Sequence, residues 1–308
     1  MRILVVGAGA TGGYFGGRLS QSGRDVTFLV RARRAALLAR HGLRIRSAMG
    51  DADIAAPPTV TAATLREPFD LVLLGCKAWD LPQAMRDIAP AVGERSVVLP
   101  VLNGMRQLDL LDTCLGASRV LAGHCAIAAT LDDDGTVRHL NRMHHLGFGE
   151  RDGSDSERVR RIAQAMAGAN FDSRASRHAV QDMWDKWVFL ASLAGITCLM
   201  RAPVGDVVAA PGGREAALAL LDDCRRIAAA NGHAPGEAVI ERARGMLTEA
   251  GSTLSASMLR DLEHGGRVEA GHVIGDLLAR GEAHGVETPV LRLAYAHLRA
   301  YEARGAHA

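Results

Sequence analysis

The sequence predicts an α/β domain built on a parallel sheet, followed by an all-α domain. Three observations carry this reading. The first half alternates short apolar, β-branched runs with helical segments, the pattern of strand–helix–strand units. After about Ser173 the strand pattern stops and helical periodicity continues alone. The length of 308 residues exceeds the roughly 250–300 at which single cores stop growing, so two domains are expected, residues 1–173 and 174–308.

The elements follow in order. Strands are expected at Arg2–Val6, Asp25–Val30, Leu71–Leu74 and Val97–Val101, with a later pair near Arg119–Ala129 and Val137–Gly147. The polar run Asp132-Asp133-Asp134-Gly135 suits a hairpin turn between that pair. Helices are expected at Gly12–Ser22, Ala32–Arg40, Leu81–Ala89, Met105–Leu115 and Ser154–Gly168. The second half reads as helices at Ser176–Met200, Arg214–Asn231, Gly236–Glu249, Thr253–His264, Val268–His284 and Val290–Glu302. Gly232 and Gly285 sit where helix stops belong, and Pro203, Pro211, Pro235 and Pro289 fall in the gaps.

Composition excludes several classes. A hydrophobic share of 48% against 23% charged is a globular balance, and a formal charge of +2 is too small to imply nucleic acid or an anionic membrane as partner. The five cysteines (Cys76, Cys114, Cys125, Cys198, Cys224) form no C-x-x-C pair and read as reduced, buried small hydrophobes. The N-terminal apolar run is too short for a signal peptide. The uncharged stretch Trp187–Met200 falls short of the roughly 20 residues a membrane span needs. A cytoplasmic location follows by default. His139, His144 and His145 lack a carboxylate or cysteine to complete a metal set; no metal is expected, and they read as surface or turn residues.

The first chemistry lies at the N-terminus. The strand Arg2–Val6 runs directly into Gly7-Ala8-Gly9-Ala10-Thr11-Gly12, a G-x-G-x-x-G between a strand and a helix. That context makes the motif a dinucleotide site of the Rossmann type. Gly7 permits the tight turn, Gly9 lets backbone approach a pyrophosphate, and Gly12 allows close helix–strand packing. The helix N-terminus receives the diphosphate. NAD-binding versions place an acid about 20 residues past the glycines. Here Leu29-Val30-Arg31-Ala32-Arg33-Arg34 offers none, and the guanidinium of Arg31 suits a 2′-phosphate, so NADP(H) is the expected cofactor. Arg33 and Arg34 read equally well as solvated charges opening a surface helix. Lys77 and Asn103 each follow the end of a later strand, where open α/β sheets bind ligands. Asn103-Gly104 also reads as a plain turn dipeptide.

Reduction of a carbonyl needs a proton donor, and Lys186, the one lysine of the C-terminal half, opens an otherwise apolar helix. Taken in order, the glycine motif, Arg31, Lys77-Ala78-Trp79, Asn103-Gly104-Met105, Trp184-Asp185-Lys186, and Ser257-Met258-Leu259-Arg260-Asp261 with Glu269 beyond resemble the ketopantoate reductase (2-dehydropantoate 2-reductase) family over nearly the whole chain. The resemblance implies Lys186 as proton donor and Ser257 as binder of the substrate carboxylate. It also implies Glu269 at cofactor and substrate hydroxyl, Asn103 shared by both ligands, and Ala129 as a backbone contact to NADP. The reaction it implies is NADPH-dependent reduction of ketopantoate to pantoate, a step toward pantothenate and coenzyme A. Taken alone, Ser257 reads as a helix N-cap and Glu269 as a solvent-facing acid.

One departure bears on the substrate. Positions where the family often carries asparagines are Leu190, Ala194 and Val204 here. A pocket wall without those donors points equally to a more apolar 2-oxo acid, or to an imine. A non-catalytic NADP-sensing protein is the reading from another class. The expected partner is a small 2-oxo acid, and the apolar helix Val290–Tyr301 leaves room for a homodimer.

Overall fold

A computed structural model describes residues 1–305; the last three positions of the expected second domain lie outside the described residues. The chain forms two compact units, Met1–Leu102 with Gln107–Val180, and Asn103–Arg106 with Gln181 onward. The short segment 103–106 thus leaves the strand-rich unit that surrounds it in sequence.

The first unit runs β1 (Arg2–Val6), α1 (Ala10–Gln21), β2 (Asp25–Leu29), α2 (Ala32–His41), β3 (Leu43–Arg46), β4 (Ala52–Ile54), β5 (Thr59–Val60), β6 (Leu71–Leu74), α3 (Leu81–Asp87), β7 (Val97–Pro100), α4 (Arg106–Leu115), β8 (Ala122–Leu131), β9 (Val137–Gly149), α5 (Glu157–Met166) and β10 (Asp172–Ala175). Five strands form a parallel sheet in the order β5-β2-β1-β6-β7. β1 and β6 sit centrally, which is why both are continuous apolar runs without alternation. A second sheet has the order β10-β9-β3-β4, with β8 paired antiparallel to β9 through the expected turn at Asp132–Gly135.

α1 lies between the two sheets and packs on strands of both. Its glycines permit this: a Cβ on Gly16 would fall 2.6 Å from Phe28 Cε1, and one on Gly17 2.7 Å from Ile45 Cδ1. Tyr14, Phe15 and Leu19 from the same helix join Phe28, Leu43, Ile45 and Phe148 in one buried core.

The second unit is helical: α6 (Ala179–Met200), α7 (Val204–Ala209), α8 (Gly213–Ala230), α9 (Glu237–Leu247), α10 (Ser257–Glu263), α11 (Asp276–Ala283) and α12 (Pro289–Gly305). α6 is long and apolar enough to cross a membrane by length and composition, yet 67% of its most apolar stretch is buried, as in a core helix. The Asp223 carboxylate on α8 accepts hydrogen bonds from the backbone N–H groups of Val290 and Leu291 at 2.9 and 3.0 Å, capping α12. Gly232 and Gly285 adopt φ of +80° and +66° and end their helices as expected.

Several expectations are corrected. β3, β4 and β5 lie where no strand is expected; they span two to four residues, too few for alternation to register. The polar β10 owes its strand conformation to backbone pairing with β9, and it carries the strand pattern two residues past Ser173. α7 falls in a stretch that reads as a gap, because Pro203 has the look of a breaker when it in fact stands at the N-cap. His139 and His144 are buried, not surface residues: the Tyr14 hydroxyl lies 2.7 Å from His144 Nδ1, and the two imidazoles stack 5.7 Å apart. Residues 140–143 bulge out of β9, which returns both rings to one face. Cys114 is exposed and Cys76 half-buried, against the expectation of five buried thiols.

Candidate active site

The N-terminal unit holds a cleft of about 570 Å³ beyond the carboxyl ends of β1 and β2. Its floor is the glycine turn. Gly7 has φ of +88°, which an L side chain rarely adopts. A Cβ on Gly12 would fall 2.0 Å from the Gly7 carbonyl oxygen, and one on Gly75 3.0 Å from Gly12 Cα, so both strand ends press on the start of α1. Gly9 caps α1 with no side chain, and a Cβ there would meet open space. The first-turn N–H groups of Ala10, Thr11 and Gly12 have no helical acceptor by virtue of their position. Open backbone donors, a positive helix end and an apolar cleft together fit a dinucleotide diphosphate.

Arg31, at the N-cap of α2, lines this cleft and forms an ion pair with Asp80. Asp80 lies in a single turn, Ala78–Asp80, that follows β6. β1 separates β2 from β6, so residues just past both neighbours overhang the same glycine turn. That strand order, had it been drawn from the sequence, is the signal that finds Asp80. Arg34 is not the solvated charge that was one of its two readings. Its Nε donates to the Ala8 carbonyl at 3.0 Å and both terminal nitrogens donate to the Gly135 carbonyl at 3.1 Å, so it clamps the glycine turn to the β8–β9 hairpin. Burial lowers its pKa from the ordinary arginine value. Arg33 is exposed. Lys77 is half-buried with its ammonium 5.3 Å from the Trp79 ring centroid. Ala129 follows the register shift in β8 and pairs with His139.

The helical unit holds the other predicted residues. Lys186 on α6 donates from Nζ to Asn103 Oδ1 at 2.9 Å, within the unit to which segment 103–106 belongs. Gly104 has φ of +82°, and a Cβ there would fall 3.1 Å from the His272 carbonyl oxygen. The Trp187 indole, one residue past Lys186, donates to the Val273 carbonyl at 2.8 Å. The residues Gly271–Gly275 form a π-helical turn, a local widening often found at functional sites. Glu269, half-buried, stands two residues before it. His272 is buried and hydrogen-bonded to the Asn103 backbone; burial pushes its pKa below the ordinary histidine value, while Glu269 and Asp276 pull it up. Ser257 stands exposed in the first turn of α10, whose N-cap is Ala256. The structure therefore brings Asn103 and Lys186 together, sets Glu269 electrostatically close to His272, and places Ser257 on a separate helix. His272 escapes sequence reasoning because one buried histidine among apolar residues has no sequence signature.

The family description "Ketopantoate reductase PanE/ApbA" matches residues 3–153, and its C-terminal counterpart matches residues 178–302. The chain belongs to the ketopantoate reductase family. It is 37% identical over 303 residues to the uncharacterized oxidoreductase YkpB of Bacillus subtilis, covering 98% of this chain and 99% of that protein. It is 27% identical over 293 residues to a 2-dehydropantoate 2-reductase of Halobacterium salinarum, covering 95% and 96%. The crystal structure of 2-dehydropantoate 2-reductase from Geobacter metallireducens superposes with a TM-score of 0.88 at 27% identity, covering 97% and 99%. As a member of the ketopantoate reductase family, the chain is an oxidoreductase acting on CH–OH groups, a 2-oxo acid reductase.

Proposed function

We propose that this reductase uses NADP(H) to convert ketopantoate to pantoate, with Lys186 as proton donor. The observation that carries the reading is the Lys186–Asn103 hydrogen bond, because it fixes the one ammonium of the helical half beside a carboxamide that follows β7. The N-terminal unit would bind the cofactor through Gly7–Gly12, Arg31, Lys77 and Ala129; the helical unit would bind substrate. When bound, the reduced nicotinamide supplies a hydride. Lys186 protonates the carbonyl oxygen and offsets the negative charge that develops there. Asn103 Oδ1 is taken up by Lys186, so its N–H groups are the part that donates to a substrate or cofactor oxygen. The Ser257 hydroxyl holds the substrate carboxylate, and Glu269 receives the cofactor and substrate hydroxyls. A homodimer in the cytoplasm belongs to the same reading; Leu293 on α12 is 58% exposed, an apolar side chain suited to a second copy.

Leu190 favours a second reading. It lies one turn past Lys186 and is half-exposed, while Ala194 and Val204 are 1% exposed and packed in the core. Leu190 alone therefore carries the apolar departure, and a more apolar 2-oxo acid fits beside it. NADPH oxidation against ketopantoate, pyruvate and 2-oxoisovalerate separates the readings. Ketopantoate is expected to give the highest kcat/KM; parity with 2-oxoisovalerate transfers the assignment to the second reading. Cofactor binding without turnover on any 2-oxo acid removes both.

A further inference from the structure

We propose that Asp80 sets the discrimination between NADP(H) and NAD(H), holding Arg31 as its counter-ion and narrowing the preference for the phosphorylated cofactor; this rests on the dinucleotide reading of the N-terminal cleft. Arg31 and Asp80 both line that cleft and are joined by an ion pair. The Arg31 side chain is 74% exposed and the Asp80 side chain 32%, so both are accessible to a ligand in the cleft they line. Arg34, the other guanidinium on the cleft wall, is committed to the carbonyls of Ala8 and Gly135. One arginine of this wall therefore remains for a 2′-phosphate, and a carboxylate already holds it.

The two cofactors meet this pair differently. A 2′-phosphate brings nearly two negative charges beside Asp80. It must share Arg31 with the carboxylate, which holds one terminal nitrogen of the guanidinium, and it does so against like-charge repulsion from that carboxylate. A ribose 2′-hydroxyl donates to the Asp80 carboxylate while Arg31 stays paired, the role an acid plays in NAD-specific sites. In this chain the acid arrives from the turn after β6 instead of from the end of β2. Asp80 thus penalises one cofactor and supplies a partner to the other.

The test is direct binding to the full chain, by tryptophan quenching and nicotinamide fluorescence with NADPH and NADH, with 2′,5′-ADP and 5′-ADP as competitors. The wild type is expected to bind NADPH and NADH within about tenfold of each other. Asp80→Asn should shift the ratio toward NADPH by about tenfold, tightening NADPH and weakening NADH, with 2′,5′-ADP following NADPH. Asp80→Glu keeps the charge and should keep the wild-type ratio. Arg31→Gln in the Asp80→Asn background should abolish the gain. An unchanged ratio in Asp80→Asn and Asp80→Ala, with both cofactors still bound, overturns the role of Asp80 alone. Failure of the wild type to bind either cofactor overturns the dinucleotide reading and this inference together.

Discussion

Replacing Arg34 by methionine separates two roles that an arginine beside a nucleotide cleft can play. The structure makes it a clamp: Nε reaches the Ala8 carbonyl at 3.0 Å and the terminal nitrogens reach the Gly135 carbonyl at 3.1 Å. Hydrogen bonds to a charged group contribute about 1.5–3 kcal/mol each. Two acceptors lose their donor, while the freed side chain regains up to about 2 kcal/mol of rotamer entropy. Methionine keeps much of the aliphatic stem, so little packing is lost. Half-burial screens part of the charge, and the net cost is about 2 kcal/mol. At about 2–4 °C per kcal/mol for a unit of this size, Tm should fall by about 4–8 °C. Scanning calorimetry reads the fall, and binding titrations read the cofactors. The ratio of NADPH to NADH affinity should stay within about twofold, because the Arg34 guanidinium is committed to the Ala8 and Gly135 carbonyls. An unchanged Tm with a collapsed NADPH preference would show that Arg34 is a phosphate ligand and that the clamp reasoning is wrong.

Other parts of the chain can be tested in the same way. Lys186→Ala should lower kcat by at least about 100-fold while the Kd for NADPH changes little, and near-normal turnover in steady-state assays removes the proton-donor role. Gly16→Ala places a methyl 2.6 Å from Phe28 Cε1 and 2.9 Å from Val5 Cγ2, so overpacking should cost about 1–3 kcal/mol, read as a lower urea midpoint with an unchanged m-value. Acid should destabilise the fold through His144, whose pKa is pushed below the ordinary histidine value chiefly by burial, with Arg18 and His139 acting in the same direction and Asp172 against it. With the folded value lowered, the unfolded chain protonates first, so stability present above about pH 6.5 declines as pH falls toward the folded value. Tm should therefore drop from pH 7.5 to 5.5, and His144→Gln should flatten part of that slope; an identical slope in the variant places the titration elsewhere.

The legible parts of this sequence were those where one local rule suffices. A central parallel strand must be apolar on both faces, so β1 and β6 were visible as uninterrupted runs, and the edge strand β7, buried along its whole length, reads the same way. The glycines of the first turn were visible because both φ and close approach forbid other residues at Gly7 and Gly12. Helix stops at Gly232 and Gly285 follow the same logic. What escaped depended on two segments distant in the chain. Arg34 and Gly135 are 101 residues apart, and Tyr14 and His144 are 130 apart. Nothing local to either partner announces such a pair. The short strands β3 and β10 are held by pairing with β9, whose position no pattern in residues 43–46 or 172–175 encodes.

Asn103-Gly104 shows how a residue pair can satisfy a turn rule and still make a contact that the turn does not require. An Asn-Gly step after a strand is what any tight turn would use. Here Gly104 does need its positive φ, and a Cβ would press on the His272 carbonyl at 3.1 Å. The asparagine is a different matter: its side chain accepts from Lys186, 83 residues further on. His272 holds the backbone of Asn103 from the other side and is itself kept toward the neutral form by burial. Aspartate at position 103 would form an ion pair with the ammonium, stabilising the protonated lysine and weakening it as an acid. Under the proposed proton-donor role of Lys186, a neutral carboxamide would orient the proton without neutralising the charge that a developing alkoxide requires. Asn103→Asp should therefore lower kcat more than it raises KM, whereas a purely structural turn would tolerate aspartate at that position with both parameters unchanged.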